Sequence, residues 1–342
     1  MFWTNLSILI LIFALAFFLC FFLTRWWIKL AGSHKNMLVP DMNKYKKPLV
    51  PKVGGIAVAI SIVVTIFVYM FFRTFIINSI LHNTEILTMV ITLLLACFIG
   101  FIDDIFGWEK SSISGYKKIL MTIPLAIPLM VINAGDSSII LPFFGSVNLG
   151  LIYPLVIIPL SIVGTTNGFN LLAGYNGLEA GLGGIVFVFL GIVSLATGQQ
   201  WLALIAGIIV LALFAFYLLN KIPARIFPGN TLTYVIGALI GCFAILGNME
   251  KPAVILFLPF IIEGILKAFS KFKAWNFGVP NKDDSLELRY KKIYSLTHLA
   301  IWVLKKVKPS HKVYEKDVVA LLLIIEALLG ILVLANIIFG FI

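Results

Sequence analysis

Two aspartates stand side by side at the end of an apolar run. No charge occurs from Ile86 to Ile102, and then come Asp103 and Asp104 in GFIDDIFGW (100–108). Charge in or beside a bilayer is costly and tends to be functional. Paired carboxylates close to cations suit a divalent metal held beside phosphates, because Mg²⁺ takes one or two carboxylates plus phosphate oxygens. Consecutive helical positions point about 100° apart, so the two are expected to divide the work. One would address the metal or an acceptor phosphate, and the other would orient a lysine or a neighbouring group.

Four further polar stretches can complete such a site. DMNKYKKPLVPKVGG (41–55) is basic and punctuated by proline and glycine, and Lys117 and Lys118 can neutralise a diphosphate. GTTNGFNLLAGYNGLEAGLGG (164–184) carries Asn167, Asn170 and Asn176 and no basic residue, in a chain whose connectors are otherwise lysine-rich. Amide side chains and exposed backbone suit a polar-ligand cradle or a metal platform. Close helix approach explains Gly181, Gly183 and Gly184, but not the asparagines. In NKIPARIFPGNTLTY (220–234), Phe227 offers a face on which a base can stack, Pro228 and Gly229 shape a turn, and Asn230 heads the next helix. His34, His82, His298 and His311 show no metal-ligand spacing.

The elements that must position these residues are membrane helices. The 342-residue chain is 61% hydrophobic and 12% charged, with a mean hydropathy of +1.07, whereas soluble domains are about a quarter charged. It is an all-α polytopic membrane protein in a single domain, 1–342. Apolar runs of about 17 to 25 residues can span as helices. Ten are expected: 5–24, 53–72, 87–103, 117–132, 151–166, 178–196, 200–218, 231–249, 252–269 and 318–342. Pro124 and Pro128 interrupt the fourth.

Net charge is +11, and all Lys and Arg but Arg73 and Lys251 fall on one side of these spans. The positive-inside rule makes that side cytoplasmic. The site then faces the cytoplasm, both termini lie outside, and the basic excess calls for no nucleic acid. Cys20, Cys97 and Cys242 sit in spans as packing residues, and the N-terminus reads as a retained span. Asn5-Leu6-Ser7 matches a glycosylation sequon but abuts the membrane. The stretch 270–317 is a cytoplasmic loop or subdomain, with an amphipathic surface helix expected within Leu286 to Val307. Glu263 lies near the cytoplasmic end with Lys267, while Glu326 is deeper and has no assigned role.

Taken in order, D-M-N-K (41–44), V-P-K-V-G-G (50–55), the Asp-Asp pair, N-x-x-N-L-L-A-G-Y-N-G-L-E-A-G (167–181) and P-A-R-I-F-P-G-N-T (223–231) resemble the polyprenyl-phosphate N-acetylhexosamine-1-phosphate transferase family across essentially the whole chain. N-G-L-E-A-G is closest to the archaeal and eukaryotic branch that makes dolichol-linked N-acetylglucosamine for N-glycosylation. The His-rich motif of the bacterial relatives' last cytoplasmic loop does not occur here. The resemblance implies ten helices, a cytoplasmic active site, a UDP-sugar donor, a polyprenyl or dolichyl phosphate acceptor, and Mg²⁺ with Mn²⁺ as a substitute. It leaves room for a homodimer. It implies that the lipid phosphate attacks the sugar-bearing phosphorus and releases UMP, by positioning and charge neutralisation.

By motif position, Asn170 and Asn230 resemble metal ligands, Asn176 a uracil contact and Phe227 its stacking partner. Lys118 resembles the pyrophosphate lysine, and Met42 a backbone contact to the nucleoside. Lys44 and Arg225 are further substrate contacts, and Asp103, Asp104 and Asn230 form the catalytic group. Two departures stand out. Asn230 occupies a position where the family usually has Asp, which removes a charge from the metal site. NFGVPNKDDSLELR (276–289) offers only Lys282 and Arg289 where eukaryotic relatives place arginines and a histidine for the sugar. The alternatives are another UDP-sugar, an inactive homologue, or a transporter or flippase. A transporter would show paired halves with broken spans at the midplane, whereas here the polar residues gather at one face.

Overall fold

The structure, a computed structural model, describes residues 6–106, 115–141 and 145–339. Asn5 of the sequon, Gly107 and Trp108 of the aspartate motif, and the end of the last expected span lie outside the described residues. The chain folds as a helical bundle: α1 (Leu6–Gly32), α2 (Gly55–Phe75), α3 (Asn83–Phe106), α4 (Gly115–Thr122), α5 (Ile127–Val131), α6 (Ile158–Leu171), α7 (Leu178–Ala196), α8 (Gln200–Asn220), α9 (Gly229–Leu246), α10 (Glu250–Leu256), α11 (Leu258–Phe269), α12 (Leu296–Val307) and α13 (Glu315–Ile338). Short antiparallel pairs punctuate it: β1 (Leu38–Pro40) with β2 (Leu49–Pro51), β3 (Ser138–Leu141) with β4 (Gly145–Asn148), and β5 (Val279–Pro280) with β6 (Leu286–Glu287).

Among the described residues, eight helical runs are long and apolar enough to cross a membrane, one of them Tyr153–Leu171, in which a π turn leads into α6. The pair α10–α11, bent by 56°, makes a ninth. The expected count of ten is not confirmed among the described residues. The fourth run breaks into α4, a 3₁₀ turn (Ile123–Ala126) and α5, because Pro124 and Pro128 each remove a backbone donor and crowd the preceding turn. Sequence reasoning did not anticipate the bend at α10–α11, where Pro259 stands in the first turn of α11.

The core centres on α9, the most enclosed span, with 83% of its apolar window buried. Without a hydrophobic drive between helices in lipid, close approach depends on small residues. A Cβ on Gly100 of α3 would lie 2.6 Å from Asn230 O, and one on Gly237 of α9 would lie 2.5 Å from Thr165 O of α6. A Cβ on Gly55 of α2 would meet Leu232 N at 2.3 Å. Three helices are thus packed backbone-close around α9.

Two connectors differ from expectation. The 164–184 stretch is mostly helix: α6 runs to Leu171 and α7 starts at Leu178. The amphipathic helix starts only at Leu296, because Ser295 caps it by accepting Thr297 N, while Leu286–Glu287 pair as a strand. Its buried face includes Leu296, His298, Ala300 and Ile301, and Trp302 is exposed. Glu263 of α11 anchors its start, with Oε2 accepting Leu296 N at 2.7 Å and Ser295 Oγ at 3.1 Å.

Candidate active site

One end of the bundle holds a cavity of about 580 Å³. The β1–β2 hairpin, the α3 C-terminus, α4, the α6–α7 turn, the α9 N-terminus and the 274–277 segment all contribute to its wall. The aspartate pair is divided as helical geometry requires. Asp104 turns to α9, accepting the backbone N–H of Asn230 at 2.7 Å and that of Thr231 at 2.9 Å, and the Thr231 hydroxyl at 2.6 Å. The first turn of a helix leaves its N–H groups without partners, and a carboxylate there satisfies them and complements the helix dipole. The cap is supplied by another helix, so it also fastens α3 to α9. Gly229, with φ +72°, makes the contact possible, since a Cβ there would lie 2.3 Å from Asp104 Oδ2.

Asp103 faces the other way. Its Oδ2 accepts Lys118 Nζ at 2.7 Å, Asn230 Nδ2 at 2.9 Å and Tyr234 Oη at 3.0 Å. Its Oδ1 is buried without a hydrogen bond from the described residues. Thr233 donates to Asn170 Oδ1 at 2.7 Å, which brings the α6 amide next to the α9 start. An orphaned carboxylate oxygen with amide oxygens nearby is a hard-oxygen donor set that fits a divalent cation, through Asp103, Asn170 and Asn230.

Lys52, Lys118 and Lys267 all line the cavity. Lys52 donates to the Asp104 carbonyl at 2.7 Å. Burial pushes its ammonium below the ordinary lysine range, and the Asp104 carboxylate opposes that shift. Lys267 donates to Ala274 O at 2.6 Å, with Glu263 at 3.9 Å one helical turn before it. Three lysines and the carboxylates of Asp41, Asp103, Asp104 and Glu179 thus line the same cavity, a lining that can take an anion together with a cation.

Of the residues singled out from sequence, Met42, Asp103, Asp104, Lys118, Asn170, Asn176, Phe227 and Asn230 line this cavity together. Lys44 and Arg225 are outside its wall: Lys44 pairs with Glu315 at 3.0 Å, and Arg225 is exposed. Asn167 lies within α6, donating to Thr122 Oγ1 at 2.8 Å, and so ties α6 to the end of α4. Sequence reasoning gave no site role to Asp41, Tyr175, Glu179, Lys267, Trp275, Asn276 and Phe277, all in the wall. It also missed Glu315, buried behind that wall. Burial pushes the pKa of Tyr175 further above the ordinary tyrosine value.

An apolar helical bundle with a lysine- and carboxylate-lined cavity at one end suits an integral membrane protein that handles phosphorylated substrates. The chain belongs to glycosyl transferase family 4, whose profile matches residues 86–248, and it is a sugar-phosphate transferase. It is 36% identical to a protein of Saccharolobus solfataricus provisionally named UDP-N-acetylglucosamine–dolichyl-phosphate N-acetylglucosaminephosphotransferase, over 84% of this chain and 86% of that one. A Sulfolobus acidocaldarius protein with the same provisional name is 35% identical over 81% and 83%. The phospho-N-acetylmuramoyl-pentapeptide-transferase of Shouchella clausii is 31% identical over 76% and 80%.

Proposed function

We propose that this chain transfers N-acetylglucosamine-1-phosphate from UDP-N-acetylglucosamine to a dolichyl-type polyprenyl phosphate. An oxygen of the lipid phosphate forms a bond to the sugar-bearing phosphorus. The bond from that phosphorus to the bridging oxygen breaks, and UMP leaves with that oxygen. The product is a lipid diphosphate carrying the sugar. One observation supports this reading above the rest: four carboxylates, three lysines, the amides of Asn170, Asn176 and Asn230, and the aromatic face of Phe227 share a single cavity.

Phe227 stacks the base, Asn176 meets its edge and the Met42 backbone meets the nucleoside. Lys118, Lys52 and Lys267 neutralise the diphosphate. Asp103 orients the incoming lipid phosphate; proton removal is a light demand, because a phosphate monoester is largely dianionic near neutral pH. Asp103, Asn170 and Asn230 would hold Mg²⁺, which would supply charge neutralisation to the phosphates. The cavity faces the cytoplasm, where the basic loops lie. Purified protein with Mg²⁺, a polyprenyl phosphate and a panel of UDP-sugars tests this by UMP release. UMP from the N-acetylglucosamine donor is expected. Its absence with every donor, and with Asn230→Asp as well, would remove the reading.

A further inference from the structure

The side-chain amide of Asn176 is held by two carboxylates. Its Nδ2 lies 2.9 Å from Asp41 Oδ2 and 3.4 Å from Glu315 Oε2, and its backbone N–H donates to Glu315 Oε1 at 2.8 Å. The nitrogen and oxygen of an amide are nearly the same shape, so its orientation is assigned by what the neighbours can do. Ionised carboxylates only accept. A flipped amide would set Oδ1 against both, in a place where Asp41 and Asn176 are 3% exposed and Glu315 is 1% exposed.

The surrounding donors keep both acids in the accepting role. Lys44 Nζ reaches Glu315 at 3.0 Å and Asn43 Nδ2 reaches it at 3.1 Å. Asn43 N–H donates to Asp41 Oδ1 at 3.0 Å. Both amide hydrogens of Asn176 are therefore directed at carboxylates. Its Oδ1, which receives no hydrogen bond from the described residues, is the side-chain atom it has for a ligand in the cavity it lines.

We infer that Asp41 and Glu315 are specificity-determining residues, which lock Asn176 with its carbonyl toward the ligand and so select uracil over cytosine. The inference rests on the reading that this cavity takes a uridine nucleotide. An acceptor set against ring position 3 pairs with the N3–H of uracil. Cytosine has a lone pair there, and must slide to bring its exocyclic amine to the same oxygen. Glu315 lies outside the cavity wall and Asp41 is part of it; in this role both act through Asn176, whose amide they hold. Lys44 serves by balancing the charge of Glu315.

The test is the affinity of the detergent-purified protein for UMP and for CMP, with Asp41→Asn and Glu315→Gln made singly and together. These near-isosteric changes let the neighbours donate as well as accept, so the amide can turn over. Wild-type protein is expected to favour UMP by about tenfold or more, the worth of one buried hydrogen bond. The double variant is expected to bring the two affinities within about threefold of each other, mostly by weakening UMP. A loss of packing alone would weaken both nucleotides alike and leave the ratio intact. Equal affinities in the wild type, or an unchanged ratio in the folded variants, would overturn the inference. Should the double variant not fold, the wild-type ratio and the single variants still decide. If the wild type binds neither nucleotide, the uridine-nucleotide reading itself falls.

Discussion

Asp104 caps α9 through Thr231, with one carboxylate oxygen accepting both its backbone N–H at 2.9 Å and its hydroxyl at 2.6 Å. Asp103, the preceding residue, takes no part in the cap and is paired with Lys118. The expected phenotypes separate accordingly. Asp104→Asn would turn a donor toward a donor at the helix start, and should lower stability by about 2 kcal/mol with a matching fall in thermal midpoint in detergent. Asp103→Asn should leave the midpoint within a few degrees and lower turnover by about 100-fold or more. Reversed phenotypes would show that the two roles are misassigned.

Gly229 cannot be replaced cheaply. Its φ of +72° disfavours any side chain, and a Cβ would collide with Asp104 Oδ2 at 2.3 Å. Gly229→Ala should cost at least about 2 kcal/mol through strain and the broken cap. Yield of folded protein on size-exclusion chromatography is the simplest readout. Normal yield with an unchanged thermal midpoint would refute this.

Asn230 donates to Asp103 Oδ2 at 2.9 Å, so Asn230→Asp would set carboxylate against carboxylate. Like charges at that distance disfavour each other until a cation enters. The variant should melt earlier than wild type in EDTA and bind Mg²⁺ about tenfold more tightly. A Mg²⁺ titration followed by thermal shift measures both, and identical titrations would take Asn230 out of the metal site.

His298 of α12 gives the protein a pH dependence. Burial, then the charges of Lys267 and Arg289, push its pKa from 6.5 down to about 4. The unfolded chain takes up a proton below pH 6.5, while the folded protein resists until about pH 4. Stability should therefore be flat with respect to this group above pH 6.5 and fall as pH drops from 6.5 to 4. The slope is at most about 1.4 kcal/mol per pH unit. His298→Asn should flatten that limb of the melting curve; an unchanged slope would mean that other groups carry it.

How far the sequence could be read depended on the range of the interaction. Apolar runs placed the spans because membrane insertion responds to local composition, and the division of labour between Asp103 and Asp104 followed from one helical rotation. The bend at α10–α11 and the fragmentation of α4–α5 were harder, since a proline bends, breaks or is absorbed according to which neighbours satisfy the freed carbonyl. Glu315 was missed for another reason. In sequence it is one polar residue ahead of the final span, and only the fold brings it to Asn176, 139 positions away. Lys44 shows the converse, because its motif marked a substrate contact while the fold gives its charge to Glu315.

The enclosure of α9 has a consequence for how such a transferase can diversify. Asp103 and Asp104 from α3, Asn170 from α6, and Phe227 and Asn230 at its own start all meet beside this one helix, with Gly100 and Gly237 allowing backbone contact. A substitution on α9 is then felt in folding and in turnover together, and few such changes can be inherited. The 274–277 segment, held by Lys267, Arg289, the start of α12 and the α6–α7 turn, lies outside the spans and carries less of that double burden. Changes of donor sugar should accumulate in that segment and its supports, while the phosphate-handling half stays fixed. Chimaeras exchanging only residues 270–295 between relatives would inherit the donor's taste for sugars along with it.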